Sequence, residues 1–149
     1  MKIRNLLLSG SLFLFASMAG HAQPDTAKIT ERALFFADSL VKVDFYEDWN
    51  NYAGLAPASV IKFYGGKTGY LEHVQGLRGR TQSDIAETKP ALKMVNLMTE
   101  NDQWQCVVRM SRYFHKGEVE YHLVTYFIGQ SKDEGETWKM FDVGYNKVA

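Results

Sequence analysis

The apolar residues of this chain change their spacing at Pro90, from a helical repeat before it to an alternation after it. Before Pro90, steps of three and four residues predict a first helix over 25–43, capped by Asp25 or Thr26. Shorter helices are predicted from Asp44 to about Tyr52, from Ala58 to Tyr64 and around 70–77. The alternation predicts four strands, at 91–99, 103–115, 118–129 and 137–143. This order indicates an α+β domain, with helices packed on one face of a curved four-stranded antiparallel sheet.

Residues 1–22 have the composition of a cleavable secretory signal peptide. Lys2 and Arg4 precede an uncharged, mostly apolar run, and Gly20 and Ala22 provide the small residues of a cleavage site. The apolar run is too short for a membrane-spanning helix. We therefore expect a single domain over 23–149, located in the periplasm or outside the cell.

The charge of the chain is balanced, with 17 basic and 17 acidic residues, and neither kind forms a long run. This balance does not favour nucleic acid or an anionic membrane surface as a partner. No apolar run after residue 22 approaches membrane length, so we expect no membrane insertion. The single cysteine, Cys106, excludes an internal disulfide, and its alternation with Trp104 and Val108 predicts a core position.

Residues 131–138, SKDEGETW, match the Asp-box hairpin of sialidase-type propellers. A propeller needs at least about four blades of four strands, whereas this chain has a single box and few predicted strands. We therefore interpret the box as a folding device. The Asp133 side chain would accept hydrogen bonds from its own loop, Gly135 would supply the turn conformation, and Trp138 would pack over the hairpin.

Two segments of the chain are distinctive. FYGGK at 63–67 lies between two predicted helices, and YFIGQSKDEGETWKMFD at 126–142 contains the Asp-box. Over residues 30–143 the chain resembles a group of small secreted bacterial proteins with an NTF2-like (cystatin-like) fold. The resemblance implies a cone of helices on a curved sheet, and it implies secretion. It implies no single function, because such domains serve as enzymes, carriers and interaction modules.

An NTF2-like cone commonly holds a pocket between its helices and the concave face of the sheet, so the resemblance implies a candidate binding site. We expect the domain to bind a small amphipathic or acidic ligand without catalysis. An enzyme of the SnoaL or ketosteroid-isomerase type is the first alternative, and an interaction module without a pocket is the second. The residues expected in the pocket are Trp49, Tyr64, Met110, Arg112 and Tyr121.

The enzyme alternative requires an acid or base inside an apolar pocket. The only acidic residue on the apolar alternation of a predicted strand is Asp142, at the very end of the last strand. We therefore assign no catalytic residue. The histidines His73, His115 and His122 show no metal-ligand spacing, and we expect neither a metal nor a cofactor.

Arg112 interrupts an alternation that is otherwise apolar: Trp104, Cys106, Val108, Met110 and Phe114. A guanidinium is costly to bury without a partner. A bulge could turn Arg112 outward, or the strand could already have left the core. In a third arrangement, Arg112 would stand at the open end of the cone and bind a carboxylate or phosphate, with Tyr121 as a second donor. We expect one of the first two arrangements.

The opposite face of strands 103–115 and 118–129 mixes aromatic, aliphatic and charged residues. Such a mixture is typical of a modest protein interface. NTF2-like domains often dimerise through this outer face, so the resemblance points the same way. We therefore predict a homodimer whose contacts include Arg109, Tyr113, His122 and Tyr126.

Overall fold

A computed structural model describes residues 25–81, 89–116 and 118–144 of this protein, so the expected signal peptide lies outside the described residues. The helices are α1 (Thr26–Phe45), α2 (Trp49–Leu55), α3 (Ala58–Phe63) and α4 (Lys67–Thr81). The strands are β1 (Ala91–Glu100), β2 (Gln103–Lys116), β3 (Val119–Ser131) and β4 (Lys139–Asp142). The predicted α+β class, with helices first and an antiparallel meander after them, is confirmed. None of the described helices has the length and apolar composition needed to cross a bilayer.

The first helix begins at the predicted N-cap and turns an apolar face toward the core. The side chain of Asp25 accepts hydrogen bonds from the backbone amides of Ala27 and Lys28, and so caps α1. Four residues at helical spacing are buried along α1: Ile29, Ala33, Ala37 and Leu40. Because two of them are alanines with no exposed surface, the helix can approach the sheet closely.

The second helix starts later than predicted. The sequence predicts a helix that begins at Asp44, where the spacing of Asp44 and Glu47 is that of a capping box, whereas Asp44 lies within α1. The cap of α2 is Asp48, whose side chain accepts a hydrogen bond from the backbone amide of Asn51. Asp44 instead faces Arg78 of α4, with 3.7 Å between Oδ1 and Nε. Glu47 has a left-handed backbone, with a φ of 57°, and this conformation separates the two helices.

The strands pair in sequence order, β1-β2-β3-β4, and every pair is antiparallel. β2 and β3 pair without a register shift, whereas β1 has a shift between Met94 and Asn96 that marks a β-bulge. β4 is shorter than predicted because residues 137 and 138 belong to the preceding loop. The inner face of the sheet carries the buried residues Cys106, Val108, Met110, Phe127 and Met140.

The Asp-box connects β3 and β4 and has the geometry of a hairpin staple. Asp133 accepts hydrogen bonds from the amide and the hydroxyl of Thr137, at 2.9 and 2.6 Å, and from the hydroxyl of Ser131 at 2.8 Å. Gly135 has a φ of 89°, which other residues resist. Trp138 is 1% exposed, and its indole nitrogen donates to the carbonyl of Gly135 at 3.0 Å.

The Asp-box loop also holds the first helix. A Cβ added at Gly135 would lie 2.9 Å from Cγ2 of Ile29, so the backbone of the loop touches α1 directly. Lys28 forms an ion pair with Glu136 at 2.7 Å, and Arg32 donates to the carbonyl of Glu136 at 2.8 Å. The N-terminal half of α1 is thus held against the last hairpin, and its C-terminal half continues over the sheet.

Candidate functional site

A cavity of about 450 Å³ lies between the C-terminal half of α1 and the inner face of the sheet. This volume falls in the range of small-molecule sites in proteins. The apolar part of its wall includes Leu40, Val41, Phe45, Met110, Leu123 and Phe127. Two other lining residues, Tyr46 and Lys89, are exposed, so the cavity opens to solvent beside them.

One face of α1 supplies the helical wall of the cavity. Asp38, Val41, Lys42 and Phe45 all line it, and their steps of three and four residues place them on the same side of the helix. Lys42 pairs with Asp38 at 2.6 Å. Val41 and Phe45 are apolar neighbours one turn apart, so this face of α1 presents both apolar and charged side chains to the cavity.

The alternation of the strands supplies the opposite wall. Three cross-strand pairs on the inner face contribute to it: Met110 with Thr125, Arg112 with Leu123, and Phe127 with Asp142. Successive residues of a strand point to opposite faces, so these side chains project toward α1. Each of the three pairs therefore contributes one apolar and one polar side chain to the wall.

Arg112 lines the cavity, and our expectation of a bulge or an exposed strand end is wrong. The β2–β3 register is continuous on both sides of Arg112, so no bulge turns its side chain outward. Arg112 is half-buried and lines the cavity. The cavity, which opens to solvent, accommodates the guanidinium.

Asp142 is the most deeply buried acidic group of the described residues, with 7% of its surface exposed. Its Oδ1 atom accepts a hydrogen bond from the hydroxyl of Thr125 at 2.5 Å and another from the amide of Gly144 at 2.7 Å. Burial raises the pKa of Asp142 from its ordinary value of 3.8 to about 6, although these hydrogen bonds and the charge of Arg112 lower it. Asp142 can therefore change its charge near neutral pH.

Gly144 is packed closely against the carboxyl group of Asp142. A Cβ at this position would lie 3.0 Å from Oγ1 of Thr125 and 3.1 Å from Oδ1 of Asp142. A side chain would therefore press on the hydrogen bond between the two residues. Because glycine has no side chain, its amide can approach the carboxylate of Asp142 and donate to it.

The charged residues of the cavity wall balance one another when Asp142 is ionised: Asp38, Asp44 and Asp142 against Lys42, Lys89 and Arg112. Outside the wall, Arg78 lies 3.7 Å from Asp44 and adds a further positive charge. When Asp142 is protonated, the wall carries a net positive charge. This distribution favours a ligand with a negatively charged group over one with a positively charged group.

The structure brings only part of the expected pocket residues together. Met110 and Arg112 line the cavity. Trp49 packs edge-on against Tyr52 with ring centroids 5.9 Å apart, and Tyr64 stacks on His73 at 4.4 Å, so both belong to an aromatic cluster among α2, α3 and α4. Neither Trp49 nor Tyr64 is among the residues that line the cavity.

Tyr121 is on the same face of the sheet as Arg112, but it pairs with residue 114, farther along the β2–β3 hairpin. It is exposed and is not among the residues that line the cavity. Phe45 and Tyr52 take the aromatic role that we expected of Trp49 and Tyr64.

Sequence reasoning missed Asp142 and Thr125 as site residues. The available signal was the position of Asp142 on an apolar alternation, next to Met140, which marks a carboxyl on the inner face. Its place at the end of the last strand concealed its burial. Thr125 gave a weaker signal, because a single hydroxyl on an inner face is common.

The outer face of β2 and β3 brings the expected interface residues together. Arg109 pairs with Tyr126, and Tyr113 pairs with His122, their rings stacked at 4.4 Å. Tyr113 and Tyr126 are exposed. The Nε atom of Arg109 is buried and makes no hydrogen bond within the described residues. This face lies on the side of the sheet opposite the cavity.

Cys106 lies on the inner face, buried, and burial raises the pKa of its thiol to about 12. A thiol in this state is a packing residue rather than a nucleophile. Among residues 25–81, 89–116 and 118–144, no three histidine, cysteine or acidic side chains come together in a way that could hold a metal ion.

The comparisons of this chain with protein-family models, with curated proteins and with solved structures gave no match.

Proposed function

We propose that this domain binds a small amphipathic acid in the cavity between α1 and the sheet. The cavity itself carries the proposal, because a space of about 450 Å³ with mostly apolar walls and a few polar groups is typical of a small-molecule site. The apolar part of the ligand would contact Val41, Phe45 and Phe127. Its acidic group would lie near Arg112.

Arg112 is the residue best suited to recognise the acidic group. A guanidinium presents its donors in a planar fork that matches a carboxylate, and it stays charged at every relevant pH. The apolar wall around Arg112 strengthens such a contact by excluding water. Lys89, at the edge of the cavity, adds a second positive charge on the route by which an anion would enter.

Binding of decanoate, measured by calorimetry, tests this proposal, and a matched pair of variants locates the site. Leu123 and Val124 are neighbours on β3, both 37% exposed, but only Leu123 lines the cavity. We expect Leu123→Trp to narrow the cavity and weaken decanoate binding at least tenfold, and Val124→Trp to leave it unchanged. Equal affinities for the two variants would place the site elsewhere, and no binding by the native protein would refute the proposal.

A second candidate function is proton transfer catalysed by Asp142. The observation that favours it is a buried carboxyl, in a largely apolar cavity, whose pKa is raised to about 6. A carboxylate in such a setting can remove a proton from the carbon next to a carbonyl group. The C–H bond breaks, Asp142 gains the proton, and the negative charge develops on the carbonyl oxygen, within the field of Arg112.

The proton-transfer candidate has a simple test. Cyclohexanone in deuterated water would lose the NMR signal of its α-protons faster with the native protein than with the Asp142→Asn variant. Equal exchange rates for the two proteins would remove the support for this candidate. The outcome is independent of the decanoate measurement, because exchange can be absent in a domain that binds acids.

An NTF2-like cone and a secreted location belong to the same proposal. An open four-stranded antiparallel sheet preceded by four helices, among the described residues, supports the cone. A cavity on the helical side of the sheet supports it further. The alternative of an interaction module without a pocket draws no support from this cavity.

A further inference from the structure

The cavity holds a proton-binding group and an anion-binding group in one wall. Arg112 of β2 and Asp142 of β4 both line it, on either side of β3, which contributes Leu123, Thr125 and Phe127 between them. The two charges act on each other, since Arg112 lowers the pKa of Asp142. An acid that reaches Arg112 therefore comes into the field of Asp142 as well.

Other charged and titratable groups face Asp142 from the surrounding elements. From α1 these are Asp38, Lys42 and Asp44; from the residue that follows it, Tyr46; from α2, Tyr52; from the segment before β1, Lys89; and from β2, Arg112. Asp44 raises the pKa of Asp142, and Arg78 of α4 lies beside Asp44. Burial moves the pKa of Asp142 itself toward neutrality.

We infer that capture of an acidic ligand is proton-linked at Asp142: the ligand's carboxylate binds while Asp142 is protonated, and the two carboxyl groups share that proton. This inference rests on the proposed function, whose ligand class it refines. The proton comes from the solvent, so one proton and one ligand anion enter together. No covalent bond forms or breaks other than the O–H bond of Asp142.

Electrostatics in a largely apolar cavity favours this coupling. Two carboxylates placed close together in an apolar site cannot both stay ionised, and one of them takes up a proton. Arg112 can compensate one negative charge, and a second anion in the cavity would raise the pKa of Asp142 above its value in the empty site. A hydrogen bond between a carboxyl and a carboxylate then adds to the contact with Arg112.

The coupling determines how affinity depends on pH. Above about pH 6 a fatty acid is ionised in water, so any pH dependence there belongs to the protein. If Asp142 must be protonated in the complex, the Kd for the acid rises about tenfold for each pH unit above the pKa of the empty site. The domain would then bind an acid under mildly acidic conditions and release it as the pH rises.

Titration calorimetry of the native protein tests the inference, with decanoate as the acid and decanol as an uncharged control of the same chain length. Measurements in two buffers of different ionisation enthalpy give the number of protons taken up. Between about pH 6 and about pH 8 we expect uptake approaching one proton per decanoate, and a Kd that rises about tenfold per pH unit. We expect no proton uptake and no pH dependence with decanol.

Two variants assign the proton to Asp142. Asp142→Asn keeps the shape of the side chain and removes its titration, so the Kd for decanoate should become independent of pH. Thr125→Val removes a hydrogen bond that lowers the pKa of Asp142, so the loss of affinity should begin at a higher pH than in the native protein.

The outcomes separate the inference from the function on which it rests. Native protein that binds decanoate without proton uptake would overturn the proton linkage and leave the proposed function intact. The same pH slope in Asp142→Asn as in the native protein would also overturn it. Failure of the native protein to bind decanoate at any pH would overturn the proposed function, and the inference with it.

Discussion

The hydroxyl of Thr125 donates a hydrogen bond of 2.5 Å to Oδ1 of Asp142 across two neighbouring strands, inside the largely apolar cavity. This contact holds the one deeply buried carboxyl of the described residues in place. It stabilises the ionised form of Asp142 against the effect of burial, which favours the protonated form. The two influences together leave a group that titrates close to neutral pH.

This titration should make the stability of the domain depend on pH. The pKa of Asp142 is raised from 3.8 to about 6, so the folded state binds the proton more tightly than the unfolded chain does. The stabilisation is complete below about pH 4 and is lost as the pH rises through about 6, by roughly 3 kcal/mol at most. Urea denaturation at several pH values should show this loss in the native protein and not in Asp142→Asn. The same dependence of the free energy of unfolding on pH in both proteins would contradict this prediction.

The Asp-box should contribute to stability chiefly through its tryptophan. Trp138 is almost completely buried and its truncation to alanine should cost roughly 3–5 kcal/mol. Asp133→Ala removes hydrogen bonds in an exposed loop and should cost less, about 1–2 kcal/mol. Thermal or urea denaturation measures both changes. If neither variant shifts the unfolding transition, the Asp-box does not stabilise the hairpin between β3 and β4.

The Asp-box aspartate should also give a pH dependence of the opposite sign. Hydrogen bonds from Thr137 and Ser131 lower the pKa of Asp133 to about 2. Its contribution to stability is therefore present above the pKa of the unfolded chain, near 4, and is lost as the pH falls toward 2. Acid denaturation of Asp133→Asn should lack this component. An unchanged acid transition would show that the hydrogen bonds do not form in solution.

Local sequence patterns were sufficient to predict most of the secondary structure. Apolar residues at steps of three and four along 25–43 indicate the face of a helix that packs on the core. The alternation of apolar and polar residues after Pro90 indicates the two faces of a sheet. The start of α2 was missed because Asp44 and Glu47 have the spacing of a capping box. Their partner is Arg78 of α4, and a contact between distant segments is invisible to a local pattern.

The cavity itself depends on distances that no periodicity contains. Its volume reflects how far the C-terminal half of α1 stands from β3 and β4, and that distance results from the packing of segments far apart in the chain. The alternation of β2 places Arg112 on the inner face, but only the packed structure shows that this face is open there. The burial of Asp142 depends on the same packing.

Arg78 should be important for the junction of α1, α2 and α4. Its guanidinium is buried, lies 3.0 Å from Glu47 and 3.7 Å from Asp44, and stands over the ring of Trp49 at 5.3 Å. Arg78→Met leaves Asp44 partly buried without this cation, and should cost about 3–5 kcal/mol. Glu47→Gln is the control: Glu47 is exposed, so its loss should cost less than about 1 kcal/mol. Urea denaturation that finds equal costs would contradict this assignment.

The outer sheet face should mediate a homodimer, as the sequence predicts. Tyr126 and Tyr121 are both on β3 and 42% exposed, but Tyr126 lies on the outer face and Tyr121 on the inner one. Sedimentation at tens of micromolar should show a dimer that Tyr126→Glu dissociates and Tyr121→Glu does not. A native protein that sediments only as a monomer would contradict the prediction.

The most direct test of the binding account is the affinity of Arg112→Met for decanoate and for decanol, measured by calorimetry beside the native protein. Methionine keeps much of the apolar stem of Arg112 and removes its charge, so the variant should fold normally. We expect the variant to bind decanoate at least tenfold more weakly than the native protein, because a charge-assisted contact is lost, and to bind decanol with unchanged affinity. Equal decanoate affinities of the variant and the native protein would contradict the account.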